Sequence, residues 1–158
     1  KDKYPNIEIT IINQAKLVYH FKKYLKKRKI KNIKVLSNFH KIKKVKFDFV
    51  YFGSSLQYIK NYEKILDLVV KSSSKYVYIS ASSFFYDDPA KKNIIVKQLN
   101  LLPIIMYCYF FNFNFLKKYF KKKNFMILSK KKNPFKKINF RNFEFKIDYL
   151  NILFKRNF

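Results

Sequence analysis

One glycine serves this whole chain of 158 residues. It stands where a β-branched and aromatic run, FDFVYF, gives way to SSLQYIKNYEKILDLVV, an amphipathic helical pattern. That junction constrains the fold more than any other feature. A buried strand feeding directly into a helix is the repeating unit of an open α/β sheet, and such sheets hold ligands at the carboxyl ends of their strands. Gly53 is therefore the first candidate ligand position, because a residue without Cβ permits a conformation or a close approach that other residues block. The same scarcity excludes a phosphate-binding glycine loop of the G-x-G-x-x-G or Walker type from these residues.

The strand-and-helix unit recurs along the chain. Residues 7–12, IEITII, end in NQ before AKLVYHFKKYLKKRKI. There Leu17, Val18, Phe21, Tyr24 and Leu25 recur at three- and four-residue spacing, which predicts a helix with one buried face and one lysine-rich face. Strands are expected at 33–37 and 47–52. A helix is then expected from Gly53 to about residue 71, with Ile59, Tyr62, Ile65, Leu66 and Val69 inside and Ser72, Ser73 and Ser74 closing it. KYVYIS supplies another buried strand and NIIVKQL a candidate short one. The apolar run LLPIIMYCYFF, residues 101–111, is broken by Pro103 and falls short of the roughly 20 residues of a membrane span, so it is expected to be buried or interfacial. A helix over 113–123, amphipathic through Phe115, Leu116, Tyr119 and Phe120, leads into the strand FMILS. The tail FEFKIDYLNILFKR is expected to pair with FMILS at one sheet edge, through the turn-rich KKKNPFKKINFRN. Strands joined by helical crossovers imply parallel pairing. The expectation is one α/β domain over residues 1–158, with a Rossmann-like sheet that is mostly parallel and carries an antiparallel C-terminal edge pair.

Charge points elsewhere. Against 9 Asp+Glu stand 36 Lys+Arg, a net charge of +27, which raises nucleic acid or an anionic membrane surface as partner. However, Arg28, Arg141 and Arg156 are the only arginines, and the enriched residues (Lys, Phe, Tyr, Ile, Asn) are those with A/T-rich codons. A low-GC genome accounts for such lysines without a binding stripe. Weak, salt-sensitive, non-specific binding to polyanions still follows from charge alone.

Metal and nucleophile chemistry find little support. The lone Cys108 excludes an internal disulfide and a multi-cysteine zinc site. Its apolar neighbours mark a buried structural thiol, and a reducing cytoplasm is the expected compartment. His20 and His40 show no metal-ligand spacing, His40 has no evident carboxylate partner, and Asp87-Asp88 reads as a solvated turn. No metal is expected. Polar residues do collect at the predicted strand ends: Asn13 and Gln14, Ser37 to His40, Gly53 to Tyr58, and Ser80 to Phe84. Asn13 suits a ribose hydroxyl but also an ordinary helix start, and Ser54 or Ser55 suits a helix cap.

The stretch FDFVYFGSSLQYIKNYEKILDLVVKSSSKYVYIS resembles the region after the fourth strand of class I S-adenosylmethionine-dependent methyltransferases. More narrowly it is similar to a family of SSxLQY type associated with surface-polysaccharide gene clusters, through Asp48, Phe49, Val50, Ser54, Ser55, Leu56, Gln57 and Tyr58. Asn13-Gln14 matches the family's second-strand end, where Glu-Gln is common, and Ser80-Ala81-Ser82-Ser83 stands where the family has Asp-Arg-Thr-Pro. The resemblance implies S-adenosylmethionine as cofactor beside Asn13, Gln14, Ser37 and Gly53. It places Gln57 and Tyr58 toward a small or glycan-related acceptor. It also implies a sheet lacking the family's first strand and glycine-rich loop, as in an N-terminally truncated chain, since the sequence opens KDKYPNIEI without methionine. The alternative is a non-catalytic, lysine-rich polyanion-binding protein on a degenerate methyltransferase scaffold.

Overall fold

The computed structural model describes residues 6–72, 75–101, 104–134 and 146–157. Ser73, Ser74, Pro103 and most of the turn expected after FMILS lie outside the described residues. The chain forms two compact units, one ending at Val45 and one beginning at Lys46.

The first unit is a single βαβ turn. Strand β1 (Ile9–Ile12) pairs in parallel with β2 (Ile33–Leu36), Ile9 opposite Ile33 and Ile12 opposite Leu36, and helix α1 (Ala15–Lys27) connects them. Lys26 and Lys27 in the last turn oppose the negative end of the helix dipole. Lys29, in a left-handed conformation (φ 56°), ends the helix. Val18 and Leu25 pack on Val35, with Ile11 and Ile33 beside them. Leu17, Phe21 and Tyr24, expected on the buried face, are instead 46%, 41% and 53% exposed. Two four-residue strands are too narrow to cover a helix stripe of that width.

The second unit is built around β4 (Tyr76–Phe85). The other strands are β3 (Phe49–Gly53), β5 (Ile94–Leu101), β6 (Ile104–Asn112), β7 (Phe125–Lys132) and β8 (Asp148–Arg156), in the order β5-β6-β4-β8-β7 with β3 also on β4. Helices α2 (Tyr62–Lys71) and α3 (Phe113–Lys122) follow β3 and β6. Strand β8 runs along one edge of β4. On the other edge β3 pairs with Tyr76 to Ser80, and β6 with Phe84 and Phe85.

This corrects the expected sheet. Pairs β3-β4 and β4-β6 are parallel, but β4-β8, β7-β8 and β5-β6 are antiparallel, so the six-stranded sheet is not mostly parallel. Two causes act together. The final strand lies between β4 and β7 rather than at the rim, so it contributes two antiparallel ladders. The apolar run after residue 101, expected to be buried or interfacial, is the second arm of a hairpin, β5-β6, with Ile105 and Tyr107 exposed. Apolar residues on both faces hid its strand period: Cys108 and Phe110 pack against Phe85, while the Phe111 ring meets Tyr62 at 5.2 Å.

Helices α2 and α3 share one face of the sheet. The Phe120 ring stacks on Phe154 at 4.0 Å and meets Phe125 edge-on at 5.6 Å, and the Tyr119 hydroxyl donates to Asp67 of α2 at 2.7 Å. The Arg156 guanidinium donates to the Val70 carbonyl of α2 and lies over the Phe125 ring.

Burial pushes the Tyr62, Tyr119 and Tyr149 hydroxyls above the ordinary tyrosine pKa. The Glu63 carboxylate adds to this at Tyr62 and the Asp67 carboxylate at Tyr119. A folded pKa above the unfolded value means a stabilising contribution that is whole below about pH 10 and lost as pH rises through the folded values. Stability measured by urea unfolding should therefore fall above about pH 10, and Tyr119→Phe should flatten that fall. An unchanged slope in Tyr119→Phe would count against the Tyr119–Asp67 contact.

Candidate functional site

The carboxyl ends of β3 and β4 meet in a strained, hydrogen-bonded turn. Gly53 itself has no left-handed backbone, and the room left by its missing Cβ is taken by Tyr51, whose ring atoms would stand 2.9 Å from that carbon. The left-handed residue is the next one, Ser54 (φ 54°). Its N–H donates to the Ser80 carbonyl at 2.9 Å and its hydroxyl to the Ala81 carbonyl at 3.2 Å. Ala81 is left-handed too (φ 51°) and sits in a bulge of β4 against β8. Asn151 of β8 braces that bulge, its Oδ1 accepting from the Ala81 N–H at 2.9 Å and from the Ser80 hydroxyl at 3.2 Å. A non-glycine left-handed residue costs about 1–2 kcal/mol, and such strain concentrates where a site has to be shaped.

The turn leads into a single 3-10 turn, Leu56–Tyr58, which separates β3 from α2 and shortens the helix expected from Gly53. Neither serine serves as a side-chain cap here: Ser55 makes no capping bond at the start of this turn, and the Ser54 hydroxyl points to Ala81. Leu56 is fully buried and anchors the turn. Gln57 is 2% exposed, and its Oε1 has no hydrogen-bond partner among the described residues. The Ser82 hydroxyl is buried in the same condition. Tyr58 lies on the surface, its hydroxyl 3.4 Å from Gln98 Oε1 of β5. Burial pushes the Tyr149 hydroxyl above the ordinary tyrosine pKa, and a hydrogen bond with Ser83 acts against that rise. Burial pushes the Cys108 thiol pKa up, which disfavours the thiolate.

The predicted site residues fall into two sets. Asn13, Gln14 and Ser37 sit exposed at the adjacent carboxyl ends of β1 and β2 in the first unit, where the Asn13 N–H donates to Leu36 at 3.1 Å and its Oδ1 accepts from Gln14 N–H at 2.8 Å. Gly53, Gln57 and Tyr58 sit in the second unit, and the turn sends Gln57 inward and Tyr58 outward. Ser82 falls within the strand-end stretch 80–84 singled out from the sequence, whereas Asn151 and Gln98 were missed. A polar side chain at position 151, inside the otherwise apolar YLNILF, was the one signal for Asn151. Asp87 and Asp88 form a turn as expected: Lys91 pairs with Asp87 at 2.9 Å and holds its carboxyl below the usual range, while Asp88 accepts from Ala90 N–H at 2.7 Å. Among the described residues no cluster of His, Cys, Asp and Glu converges as a metal site, and no helix is long and apolar enough to cross a membrane.

Solved structures share this arrangement of strands and helices. M. jannaschii TYW2 in complex with AdoMet matches with a TM-score of 0.52 at 16% identity, over 95% of this chain and 58% of that one. An S-adenosylmethionine-dependent methyltransferase from Clostridium acetobutylicum matches with 0.58 at 13%, over 94% and 75%. A SAM-dependent methyltransferase from Methanosarcina mazei gives 0.58 at 13%, over 94% and 82%. The fold is that of S-adenosylmethionine-dependent methyltransferases. At these identities the likeness is one of fold, and the chain spans less than two thirds of the TYW2 structure. No protein-family model matches the sequence, and no curated protein does.

The methyltransferase fold implies S-adenosylmethionine, and the residues present fit it unevenly. Asn13 is exposed at a strand end with its Oδ1 engaged by Gln14, which leaves Nδ2 to donate to one ribose hydroxyl. Gly53 is exposed, and a Cβ added to it would stand 2.9 Å from ring atoms of Tyr51.

Proposed function

We propose that this protein is an S-adenosylmethionine-dependent methyltransferase of the SSxLQY, polysaccharide-cluster kind, acting on an oxygen or nitrogen nucleophile of a small or glycan-related acceptor. The observation that carries this reading is the buried, unpartnered Oε1 of Gln57, on the turn that leaves β3 in a methyltransferase fold. A buried amide acceptor left unpaired costs about 1–3 kcal/mol, a cost that a ligand O–H or N–H donating to it would offset. Gln57 then orients the nucleophile and Tyr58 lines its approach; within the first unit, Asn13, Gln14 and Ser37 are the residues we assign to the cofactor. Gly53 acts through Tyr51, by letting that ring lie along β3. When bound, the cofactor supplies an electrophilic methyl group, and transfer needs alignment in a water-poor site more than a dedicated acid or base. The buried Cys108 suits a reducing compartment, and we place the protein in the cytoplasm.

Isothermal titration calorimetry with S-adenosylmethionine and S-adenosylhomocysteine tests the reading. Saturable binding of both is expected, with Asn13→Ala weakening it about tenfold, the worth of one hydrogen bond. Absence of heat with either ligand would overturn it. Replacing Gln57 by methionine removes the unpaired amide at similar volume. It should raise stability by about 1 kcal/mol and leave S-adenosylhomocysteine binding unchanged, as expected of a residue that serves the acceptor at the expense of stability.

A further inference from the structure

The Gln57 Oε1 atom, to which the methyltransferase reading assigns the acceptor, is fully enclosed as the turn stands. A donor has to come within about 3.2 Å of it, and an enclosed atom admits none from outside. The turn must therefore move before an acceptor can bind. Its place in the sheet is a gap along β4: pairing with β3 ends at Ser80, pairing with β6 begins at Phe84, and the 3-10 turn Leu56–Tyr58 packs against both β4 and β6. The backbone bonds of the turn are internal. The Tyr58 N–H donates to the Ser55 carbonyl at 3.0 Å and the Ile59 N–H to the Leu56 carbonyl at 3.2 Å.

The two ends of the segment are held differently. On one side the left-handed Ser54 is tied to Ser80 and Ala81, and on the other α2 begins at Asn61 without a side-chain cap. Between those ends, two hydroxyl bonds join the segment to the β5-β6 hairpin. The Tyr109 hydroxyl of β6 donates to the Lys60 carbonyl at 2.9 Å, and the Tyr58 hydroxyl to Gln98 Oε1 of β5 at 3.4 Å. Burial of Leu56 favours the closed position. The unpaired Gln57 oxygen opposes it, and so does the left-handed backbone of Ser54. The Ser82 hydroxyl, in the gap of β4, is buried and unpartnered among the described residues as well. Few contacts hold the segment against two penalties that opening would relieve.

We propose that residues 55–61 are a gate over the acceptor site, closed in this structure, which swings outward about Ser54 and Asn61 to bring Gln57 to solvent. The Tyr109–Lys60 and Tyr58–Gln98 bonds are its latch. In the open position water pairs the Gln57 amide, and an O–H or N–H of the acceptor takes that place as the gate closes again. An acceptor without such a donor would leave the oxygen unpaired, so closure itself selects the nucleophile. The identity of the guest rests on the methyltransferase reading, whereas the motion does not.

Iodoacetamide labelling of Gln57→Cys in the full chain, followed by mass spectrometry, tests the gate with the buried Cys108 as internal reference. The thiol at position 57 should react at least about a hundredfold faster than Cys108, at a rate that low urea leaves unchanged, yet at least about tenfold slower than a free thiol. Adding Tyr109→Phe or Tyr58→Phe, which keep the rings and remove the latch bonds, should speed that reaction by about three- to tenfold. Phe120→Leu, outside the segment, should speed the reaction of Cys108 alone. In the wild-type chain the Ile59 amide should exchange through the same local opening, and Gln57→Met should slow it about fivefold by removing the unpaired oxygen. Reaction at position 57 at the Cys108 rate, or at the rate of a free thiol, would overturn the gate. An Ile59 amide indifferent to both Gln57→Met and Tyr109→Phe would overturn it as well. No cofactor or acceptor enters these measurements, so their failure is distinct from a failure to bind S-adenosylmethionine in calorimetry.

Discussion

Replacing Phe120 with alanine is expected to destabilise the second unit by about 3–5 kcal/mol, the range for truncating a fully buried aromatic residue. Phe120 is 0% exposed and is the point at which α3 meets two strands at once. Its ring lies nearly flat on Phe154 of β8 and edge-on to Phe125 of β7, so alanine would remove both contacts and leave a ring-sized void between helix and sheet. The strands cannot close that void, because β8 is held on both sides by antiparallel ladders. Urea unfolding followed by circular dichroism measures the loss. A change under about 1 kcal/mol would mean that α3 is not docked as described. Phe120→Leu should recover part of the loss, since leucine restores volume but not the stacked ring.

The second large effect belongs to Asn112, a fully buried polar residue at the junction of β6 and α3. Its Oδ1 caps α3 by accepting from Asn114 N–H at 3.0 Å, and its Nδ2 donates to the Asp88 carbonyl at 2.7 Å and the Lys91 carbonyl at 3.2 Å. Its own N–H donates to Asn93 Oδ1 at 2.6 Å, while Asn114 Nδ2 reaches the Asp87 carbonyl at 2.7 Å. One carboxamide thus satisfies a helix start and ties down the loop between β4 and β5. Asn112→Ala should cost about 2–4 kcal/mol, combining a lost cap with the loss of both Nδ2 contacts, although the Asp88 carbonyl still accepts from the Lys91 N–H at 2.9 Å. It should also speed proteolysis within residues 86–93. Asn112→Asp is the sharper test: it keeps the capping oxygen but turns a carboxylate toward two carbonyl oxygens, so it should be no more stable than the alanine variant. An aspartate variant close to wild type would show that the Nδ2 contacts contribute little.

These two residues also mark the boundary of what sequence patterning reveals. Phe120 was legible: it recurs with Leu116 at helical spacing, and that spacing by itself puts both on one face. Asn112 was not, because an asparagine after an apolar run looks like any loop residue until Asp88 and Lys91 are brought beside it. The same holds at the candidate site. Gly53, Gln57 and Tyr58 could be singled out because they follow a strand that announces itself by composition. The left-handed Ser54 and Ala81, by contrast, carry residue types that give no warning of that conformation. Exposure of Leu17, Phe21 and Tyr24 was hidden for a related reason: periodicity says which residues share a helix face, not how wide a surface waits to cover it.

The sequence by itself determined where most strands and helices lie, that one face of each helix would be apolar, that Cys108 would be a buried thiol, and that phosphate binding by a glycine loop was excluded from these residues. Only the tertiary structure decided which strands are neighbours and in which direction they run. It likewise decided that β8 would enter beside β4, and that Gly53 would make room for a tyrosine ring. The physical reason is the range of the interactions. Periodicity and capping act over three or four residues, whereas the Asn151 oxygen that braces the site binds the Ala81 N–H from 70 residues away, and nothing in the local pattern around either residue encodes the other.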